Sequence, residues 1–189
     1  MRVKTRSMEE TVLCGMFTAL IAAGAFIKIS IPVQPFPMHF TMQFFFVLLS
    51  GFLLGKRMGA LSVLCYLAIG LSGVPVFAAG GGMAYLIRPT FGFLLGFVFA
   101  AFVTGLVSER MRGGSFAALL TAAFCGLLAM YASGMIYFYV ISNFVIRMPV
   151  TWGIVFVNCF LLTVGGDLLL CVLAALAAAR IAPVLRQIR

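Results

Sequence analysis

The sequence predicts an all-α integral membrane protein, and two observations carry this prediction. Of the 189 residues, 64% are hydrophobic and only 9% are charged, whereas a soluble domain has about 45–50% apolar and about 25% charged residues. The apolar residues also form long unbroken runs, which are typical of membrane-spanning helices rather than of the alternating segments of a membrane β-barrel. This composition excludes an ordinary soluble enzyme, a disordered chain and a small secreted domain.

Six apolar runs, separated by proline, glycine and basic residues, predict a bundle of six transmembrane helices in a single domain, residues 1–189. A span needs about 20 residues, so the shorter second and third runs must borrow residues from their flanks. The first run is longer than the apolar core of a signal peptide, about 7–15 residues, and we expect a retained helix. The runs are Thr11–Ile27, Phe40–Leu54, Ala60–Leu71, Phe91–Val107, Ser115–Phe144 and Val150–Ala179.

The distribution of basic residues predicts how the helices are oriented, because Lys and Arg accumulate on the cytoplasmic side of a membrane. With six spans, both termini lie on one side, together with the two basic turns that follow the second and fourth runs. That side carries ten basic residues, and the opposite side carries three, namely Lys28, Arg88 and Arg147. We therefore expect both termini in the cytoplasm, in a multi-pass protein of the cell membrane.

Asp167 is the only acidic residue inside a predicted span. A carboxylate at membrane depth costs about 2.5–3.5 kcal/mol on insertion scales, so it usually faces a cavity or a partner. Asp167 precedes Arg180, which marks the cytoplasmic end of the sixth span, by about 20 Å of helix. This distance places Asp167 in the outer half of a hydrocarbon core about 30 Å thick. We expect Asp167 to contact a ligand; the alternative is a structural carboxylate paired with a neighbouring helix.

The external segment between the third and fourth spans contains a cation and three consecutive glycines. Arg88 is a candidate cation for a substrate carboxylate; the alternative is an interfacial arginine that reaches lipid headgroups. Gly80, Gly81 and Gly82 allow a ligand to approach the backbone closely. Because the segment is too apolar for a solvated loop, we expect a lid that dips into the bundle, with a flexible loop at the membrane edge as the alternative.

Small residues recur every four positions in the first span, at Gly15, Ala19 and Ala23. Such a stripe lets another helix pack closely. That helix belongs either to this chain or to a separate subunit.

The remaining residues indicate no metal, no cofactor and no catalytic centre. The five cysteines form no CxxC pair and are typical of apolar packing residues. The single histidine, His39, could pair with Asp167, but no nucleophile motif accompanies it. No nucleotide-binding motif is present, so we expect that the chain is not an enzyme and that any energy for transport comes from a partner or a gradient.

Five motifs distributed over most of the chain carry a family resemblance, and the longest of them is the most specific. They are Phe40–Gln43, Gly51–Gly55, Gly59–Ser62, Tyr66–Phe97 and Gly166–Leu168. In these residues the sequence resembles the BioY family, the substrate-binding S components of energy-coupling-factor (ECF) biotin transporters.

The resemblance implies a six-helix protein with an external biotin pocket, whose lid is the loop between spans three and four. It also implies that the small-residue stripe contacts the transmembrane coupling protein and that two ATPase subunits complete the importer. We expect Asp167 and the glycine backbone to bond the ureido head of the ligand. The residues expected at the ligand are Asp167, Arg88, Gly80, Gly81, Gly82, Phe77, Tyr85, Thr90, Phe93 and Gln43.

Two positions depart from the family pattern. Family members usually carry a lysine at the position of Leu170, and often Gly or Ser at the position of Arg88, so we infer that Arg88 supplies the missing cation from the opposite wall. The alternative ligand is a related carboxylate such as lipoate or dethiobiotin. The alternative classes are a proton-coupled stand-alone carrier that uses Asp167 and an intramembrane enzyme that uses His39 with Asp167.

Overall fold

A computed structural model describes residues 2–32, 37–111 and 115–188 of the chain. Within these residues the chain is almost entirely helical, with one short β-hairpin after the first helix. The helices are α1 (Arg2–Phe26), α2 (Gln43–Leu71), α3 (Phe91–Arg110), α4 (Phe116–Val140), α5 (Trp152–Phe156) and α6 (Val164–Ile188). Strands β1 (Lys28–Ile31) and β2 (Met38–Thr41) pair antiparallel. A 3-10 turn covers Met83–Ile87, and π-helical turns cover Ile141–Val145 and Val157–Leu161.

Five helices in the described part of the chain are long and apolar enough to cross a membrane. Many of their large apolar side chains, such as Phe99, Phe124 and Leu169, are exposed on the outside of the bundle. A helix that is apolar on all sides is expected in lipid. The five segments are Met8–Phe26, Gln43–Leu71, Phe91–Arg110, Phe116–Val145 and Val164–Ile181.

Helix α2 is a hairpin of two antiparallel arms that meet at Gly55, whose φ of 80° and ψ of 177° are not helical. The side chains of Gln43 and Tyr66 are 2.6 Å apart, although 23 residues of straight helix would separate them by about 35 Å. A Cβ on Gly59 would lie 2.8 Å from the carbonyl oxygen of Ser50, so a glycine is needed where the arms cross. The arms correspond to the second and third apolar runs, but the first arm begins only at Gln43 because Met38–Thr41 forms β2, so the second run gains no residues from its N-terminal flank.

Contacts between helices give the bundle two distinct ends. At one end, the Gly55 turn lies against Glu109, which accepts a hydrogen bond of 3.1 Å from the backbone N–H of Lys56. The Lys56 ammonium is also 3.0 Å from the Glu109 carboxylate. At the other end, Gly24 of α1 contacts Gln43 at the start of α2. We call these the Gly55 end and the cavity end.

The start of α1 and the end of α6 lie at the Gly55 end. Helix α1 reaches the cavity end with its C-terminal residues, so it starts at the Gly55 end. Helix α4 runs antiparallel to α3, because Gly134 packs on Phe93. Helix α6 runs antiparallel to α4, because Asp167 contacts Tyr131 while Cys171 contacts Ala123 further along. The exact number of spans and the cytoplasmic location of this end stay predictions.

The predicted sixth span, Val150–Ala179, is interrupted rather than continuous. Its first part, Trp152–Leu161, ends in a π-helical turn, and α6 begins only at Val164. The Thr163 hydroxyl at the break donates to the Cys159 carbonyl, a local bond that competes with regular helix geometry. The break places Asp167 in the first turn of α6, where the helix dipole favours a negative charge.

Candidate ligand-binding site

A cavity opens at the cavity end, between the β-hairpin, the loop after α2, and helices α3, α4 and α6. The space inside the cavity is about 70 Å³, smaller than the range of about 300–1,000 Å³ that is typical of small-molecule sites. Most of its lining is apolar or aromatic, with a few polar groups at its two ends. The lining residues are Met38, His39, Phe40, Thr41, Gln43, Phe44, Ala78, Tyr85, Thr90, Phe93, Leu94, Phe97, Met130, Tyr131, Thr163 and Asp167.

The floor of the cavity is a buried cluster of Asp167, Tyr131 and Thr163. Asp167 is only 6% exposed, and its Oδ2 accepts a hydrogen bond of 2.5 Å from the Tyr131 hydroxyl. The same hydroxyl lies 2.8 Å from the Oγ1 of Thr163. Among the described residues no cation forms an ion pair with Asp167, so hydroxyl groups rather than an opposite charge support the carboxylate. Such a carboxylate can accept hydrogen bonds from a ligand that carries N–H groups.

A second buried polar group, Gln43, connects the cavity to the loop above it. Its Nε2 donates to the hydroxyl of Tyr66 over 2.6 Å, and that hydroxyl donates to the Val76 carbonyl over 3.2 Å. The hydroxyl of Thr41 donates to the Oε1 of Gln43. This chain of bonds fixes the Gln43 amide in one orientation and ties β2 and the loop to the same helix.

Aromatic side chains form the wall between the floor and the mouth. Phe93 packs edge-on against Tyr131, with ring centroids 6.2 Å apart, and Phe44 stacks on Phe97 at 6.1 Å. Tyr85 closes the wall near the loop and is itself buried. The wall suits an apolar ligand body of modest length.

The mouth of the cavity is basic. His39 lines it, and its Nδ1 lies 2.9 Å from the hydroxyl of Ser30. Partial burial, and then the charges of Lys28 and Arg88, lower the pKa of His39 below its ordinary value. The Lys28 ammonium donates to the carbonyl of Ala78, at the lip of the cavity. The exposed Arg88 guanidinium lies 5.0 Å from the centroid of the Tyr85 ring.

Comparisons with known proteins identify the family to which this architecture belongs. The model of the BioY family matches residues 1–187. The chain belongs to the BioY family. It is 41% identical over 187 residues to a probable biotin transporter BioY of Lysinibacillus sphaericus, covering 99% of this chain and 93% of the relative. It is 43% identical over 177 residues to the biotin transporter BioY of Thermotoga maritima, covering 92% and 96%.

A solved structure confirms the all-α membrane fold. The crystal structure of the S-component for biotin from an ECF-type ABC transporter superposes with a TM-score of 0.81 and 22% sequence identity. The match covers 95% of this chain and 93% of that one. The resemblance found in the sequence motifs is thereby confirmed, and the chain is a multi-pass membrane protein. The transporter names of the relatives also agree with the prediction that this BioY chain is not an enzyme.

The loop between α2 and α3 is anchored in this BioY chain by Phe77. Its ring is buried and packs against Tyr66 and Tyr85, with centroids 5.4 and 4.7 Å away. A Cβ on Gly70 would lie 2.1 Å from the Phe77 ring, so glycine at that position makes room for the ring. The loop therefore dips into the bundle, although Phe77 lies behind Tyr85 and does not line the cavity.

The three glycines of the loop shape its turn and do not line the cavity. Gly80 and Gly82 have positive φ angles of 117° and 91°, a conformation that glycine adopts without steric cost. A Cβ on Gly81 would lie 2.3 Å from the carbonyl oxygen of Val74. Direct contact between the glycine backbone and a ligand stays a prediction.

The small-residue stripe of α1 lies on the surface. Gly15, Ala19 and Ala23 are all exposed, and a Cβ added to Gly15 would meet nothing within 4 Å. Gly15 and Ala19 line a groove between α1 and the second arm of α2. Within the described residues, the stripe is thus not used to pack α1 against a neighbouring helix.

The cavity unites half of the residues expected at the ligand, namely Asp167, Gln43, Tyr85, Thr90 and Phe93. Arg88 lies at the edge, on the face of Tyr85. Sequence reasoning missed Tyr131, Thr163 and Lys28. The available signal for Thr163 was its position one helical turn before Asp167. Tyr131 is a single tyrosine in an apolar run, and such a residue gives no signal of a functional role.

Proposed function

We propose that the protein is the substrate-binding S component of an ECF-type importer and that its ligand is biotin. The observation that carries the proposal is the polarity of the cavity, with the Asp167 carboxylate on the floor and basic side chains at the mouth. Biotin has the complementary arrangement, with two ureido N–H donors at one end, a carboxylate at the other and an apolar body between them. In this orientation the head bonds Asp167 and the tail points toward Arg88.

The comparisons support this proposal. The relatives from Lysinibacillus sphaericus and Thermotoga maritima are named as biotin transporters, and the chain spans more than nine tenths of each. Leu170, at the position where a lysine is usual in the family, is buried at 3% exposure. Among the described residues, the cations at the mouth of the cavity are Lys28 and Arg88, so Arg88 is the proposed partner of the carboxylate.

Equilibrium binding to the purified protein in detergent tests the proposed ligand. Dethiobiotin retains the ureido head and the carboxylate, whereas lipoate has the carboxylate but no N–H donor. We expect biotin to bind most tightly, dethiobiotin to bind measurably and lipoate to bind at least about tenfold more weakly than biotin, because it leaves Asp167 without a donor. Equal affinity for lipoate and biotin would overturn the proposal.

We further propose that the α1 stripe contacts a transmembrane coupling protein, which two ATPase subunits energise. Ala19→Trp should abolish uptake in cells that contain these subunits and leave biotin binding unchanged, because bulk prevents close helix approach far from the cavity. Ala132→Trp, on the exposed face of α4, is the matched control and should affect neither. Uptake by the chain alone that depends on the proton gradient would instead favour a stand-alone carrier.

A further inference from the structure

We propose that the loop that follows α4 binds the phosphate group of an anionic phospholipid, with Arg147 as the cation. This site is separate from the biotin cavity and does not depend on the proposed function. A groove runs from Arg147 along the outer side of α5. Its apolar lining includes Met148, Val150, Ile154 and Val157.

The groove lies where a membrane surface is expected. The apolar segment Phe116–Val145 ends two residues before Arg147. Around the loop, large apolar side chains are exposed, among them Phe144 at 73%. Trp152 is 53% exposed and stacks on Tyr139, with centroids 4.3 Å apart. Exposed Trp and Tyr side chains are typical of the interface between hydrocarbon and headgroups.

The backbone holds Arg147 in a strained conformation. Its φ of 60° is the one positive value among the described non-glycine residues. The side chain of Asn143 fixes the loop, because its Nδ2 donates to the Val150 carbonyl over 3.1 Å and its Oδ1 accepts from the Val150 N–H over 3.2 Å. The N–H of Met148 donates to the Ser142 carbonyl over 3.0 Å. Strain that surrounding bonds maintain in this way is a feature of binding sites.

No side-chain carboxylate of the chain is available to Arg147. Three of the four acidic residues lie in α1 or at the Gly55 end, and Asp167 is bonded to Tyr131 on the cavity floor. A guanidinium presents a planar fork of donors that matches phosphate oxygens. The apolar groove below it matches the first part of an acyl chain, which an acidic peptide would not fill. The occupant that satisfies both features is therefore a phospholipid.

The single tryptophan of the chain makes this site directly measurable. The protein is reconstituted in phosphatidylcholine vesicles that contain phosphatidylglycerol, and one of the two lipids carries brominated acyl chains, which quench Trp152. We expect brominated phosphatidylglycerol to quench more strongly than brominated phosphatidylcholine. The ratio of their binding constants at the site should be about five, which corresponds to the attraction of one cation for an anionic headgroup. Equal quenching by the two lipids in the wild type would overturn the proposal.

Arg147→Asn removes the charge and keeps a residue that tolerates a positive φ. In this variant the ratio of the binding constants of phosphatidylglycerol and phosphatidylcholine should fall to about one. Arg88→Asn, also at the cavity end, is the matched control and should keep the wild-type preference. A second variant, Gly153→Leu, fills the groove, since a Cβ there meets only the Thr151 hydroxyl at 3.8 Å. It should weaken quenching by phosphatidylglycerol; unchanged quenching in either Arg147→Asn or Gly153→Leu would contradict the site.

Discussion

The floor and the mouth of the cavity hold their polar groups in opposite ways. On the floor, Asp167, Tyr131 and Thr163 are buried and bonded to one another, so their positions are fixed before a ligand arrives. At the mouth, Lys28 and Arg88 are exposed on two different segments of the chain. A buried bond is strengthened by the low local dielectric, whereas an exposed charge is screened by water and salt.

This difference assigns a separate role to each region. We propose that the floor contributes geometric selectivity, because a donor must reach a fixed carboxylate oxygen. We propose that the mouth contributes a preference for negative charge, which is smaller and depends on ionic strength. We therefore expect large effects from substitutions on the floor and modest effects from substitutions at the mouth.

The largest expected effect follows from Asp167→Asn, which keeps the size of the side chain but replaces an acceptor oxygen with a donor. Biotin affinity should fall at least about tenfold, since a hydrogen bond to a charged group contributes about 1.5–3 kcal/mol. Titration calorimetry on the purified, folded protein measures the loss. Wild-type affinity in this variant would make Asp167 a structural carboxylate.

Two adjacent glycines in α6 provide the next test of the rigid floor. A Cβ on Gly166 would lie 2.6 Å from the Phe40 ring, which lines the cavity, whereas a Cβ on Gly165 would meet nothing within 4 Å. Gly166→Ala should therefore weaken biotin binding by about fivefold, the equivalent of about 1 kcal/mol, the lower end of the cost of about 1–3 kcal/mol that is typical of overpacking. Gly165→Ala is the matched control and should bind as the wild type does. Equal behaviour of the two variants would mean that the floor tolerates displacement.

At the mouth, Arg88→Ala should weaken binding of the free acid by about threefold and leave the affinity for biotin amide unchanged, because an exposed ion pair contributes about 0.2–1 kcal/mol. The effect should shrink as salt is added. Arg147→Ala, at the same end but away from the cavity, controls for the general loss of positive charge. Equal losses for acid and amide would give Arg88 a role in holding Tyr85 rather than in reading the carboxylate.

The smallest expected effect concerns His39. Because the pKa of His39 is lowered in the folded protein, the unfolded chain binds a proton at higher pH than the folded one. The contribution of His39 to stability is therefore complete above its ordinary pKa of about 6.5 and is lost as the pH falls through the folded pKa. Thermal unfolding between pH 8 and pH 5 should show a smaller acid-induced loss in His39→Gln than in the wild type. An unchanged profile would mean that other groups cause the loss.

Sequence reasoning singled out one polar residue in each region, Asp167 on the floor and Arg88 at the mouth, and missed their neighbours for physical reasons. A carboxylate inside an apolar run is so unfavourable in lipid that Asp167 stood out without any structure. Tyr131 did not, because a tyrosine is equally compatible with ordinary packing. Lys28 was recognised only as one of three basic residues on its side, since the antiparallel pairing of β1 with β2 that brings it to Ala78 is formed by two four-residue strands.

The fold, like the site, was predictable only in part from the sequence. Hydropathy located the apolar runs, and the short runs flanking Gly55 correspond to the arms of the α2 hairpin. Hydropathy could not reveal the break at residues 162–163, because Leu162 and Thr163 do not interrupt an apolar run. At the break the Thr163 hydroxyl bonds to the backbone, a local interaction that leaves no trace in a hydropathy pattern.

One set of affinities tests most directly whether the floor binds the head of the ligand and the mouth binds its carboxylate. Wild type, Asp167→Asn and Arg88→Ala are each titrated with biotin, with biotin amide and with a biotin analogue methylated on the ureido nitrogens. We predict that Asp167→Asn loses discrimination against the methylated head and keeps discrimination against the amide. Arg88→Ala should keep discrimination against the methylated head and lose discrimination against the amide. If Asp167→Asn instead strengthened the preference for acid over amide, because it removed a like charge, the ligand would bind with its carboxylate near the floor, and the proposed orientation would be wrong.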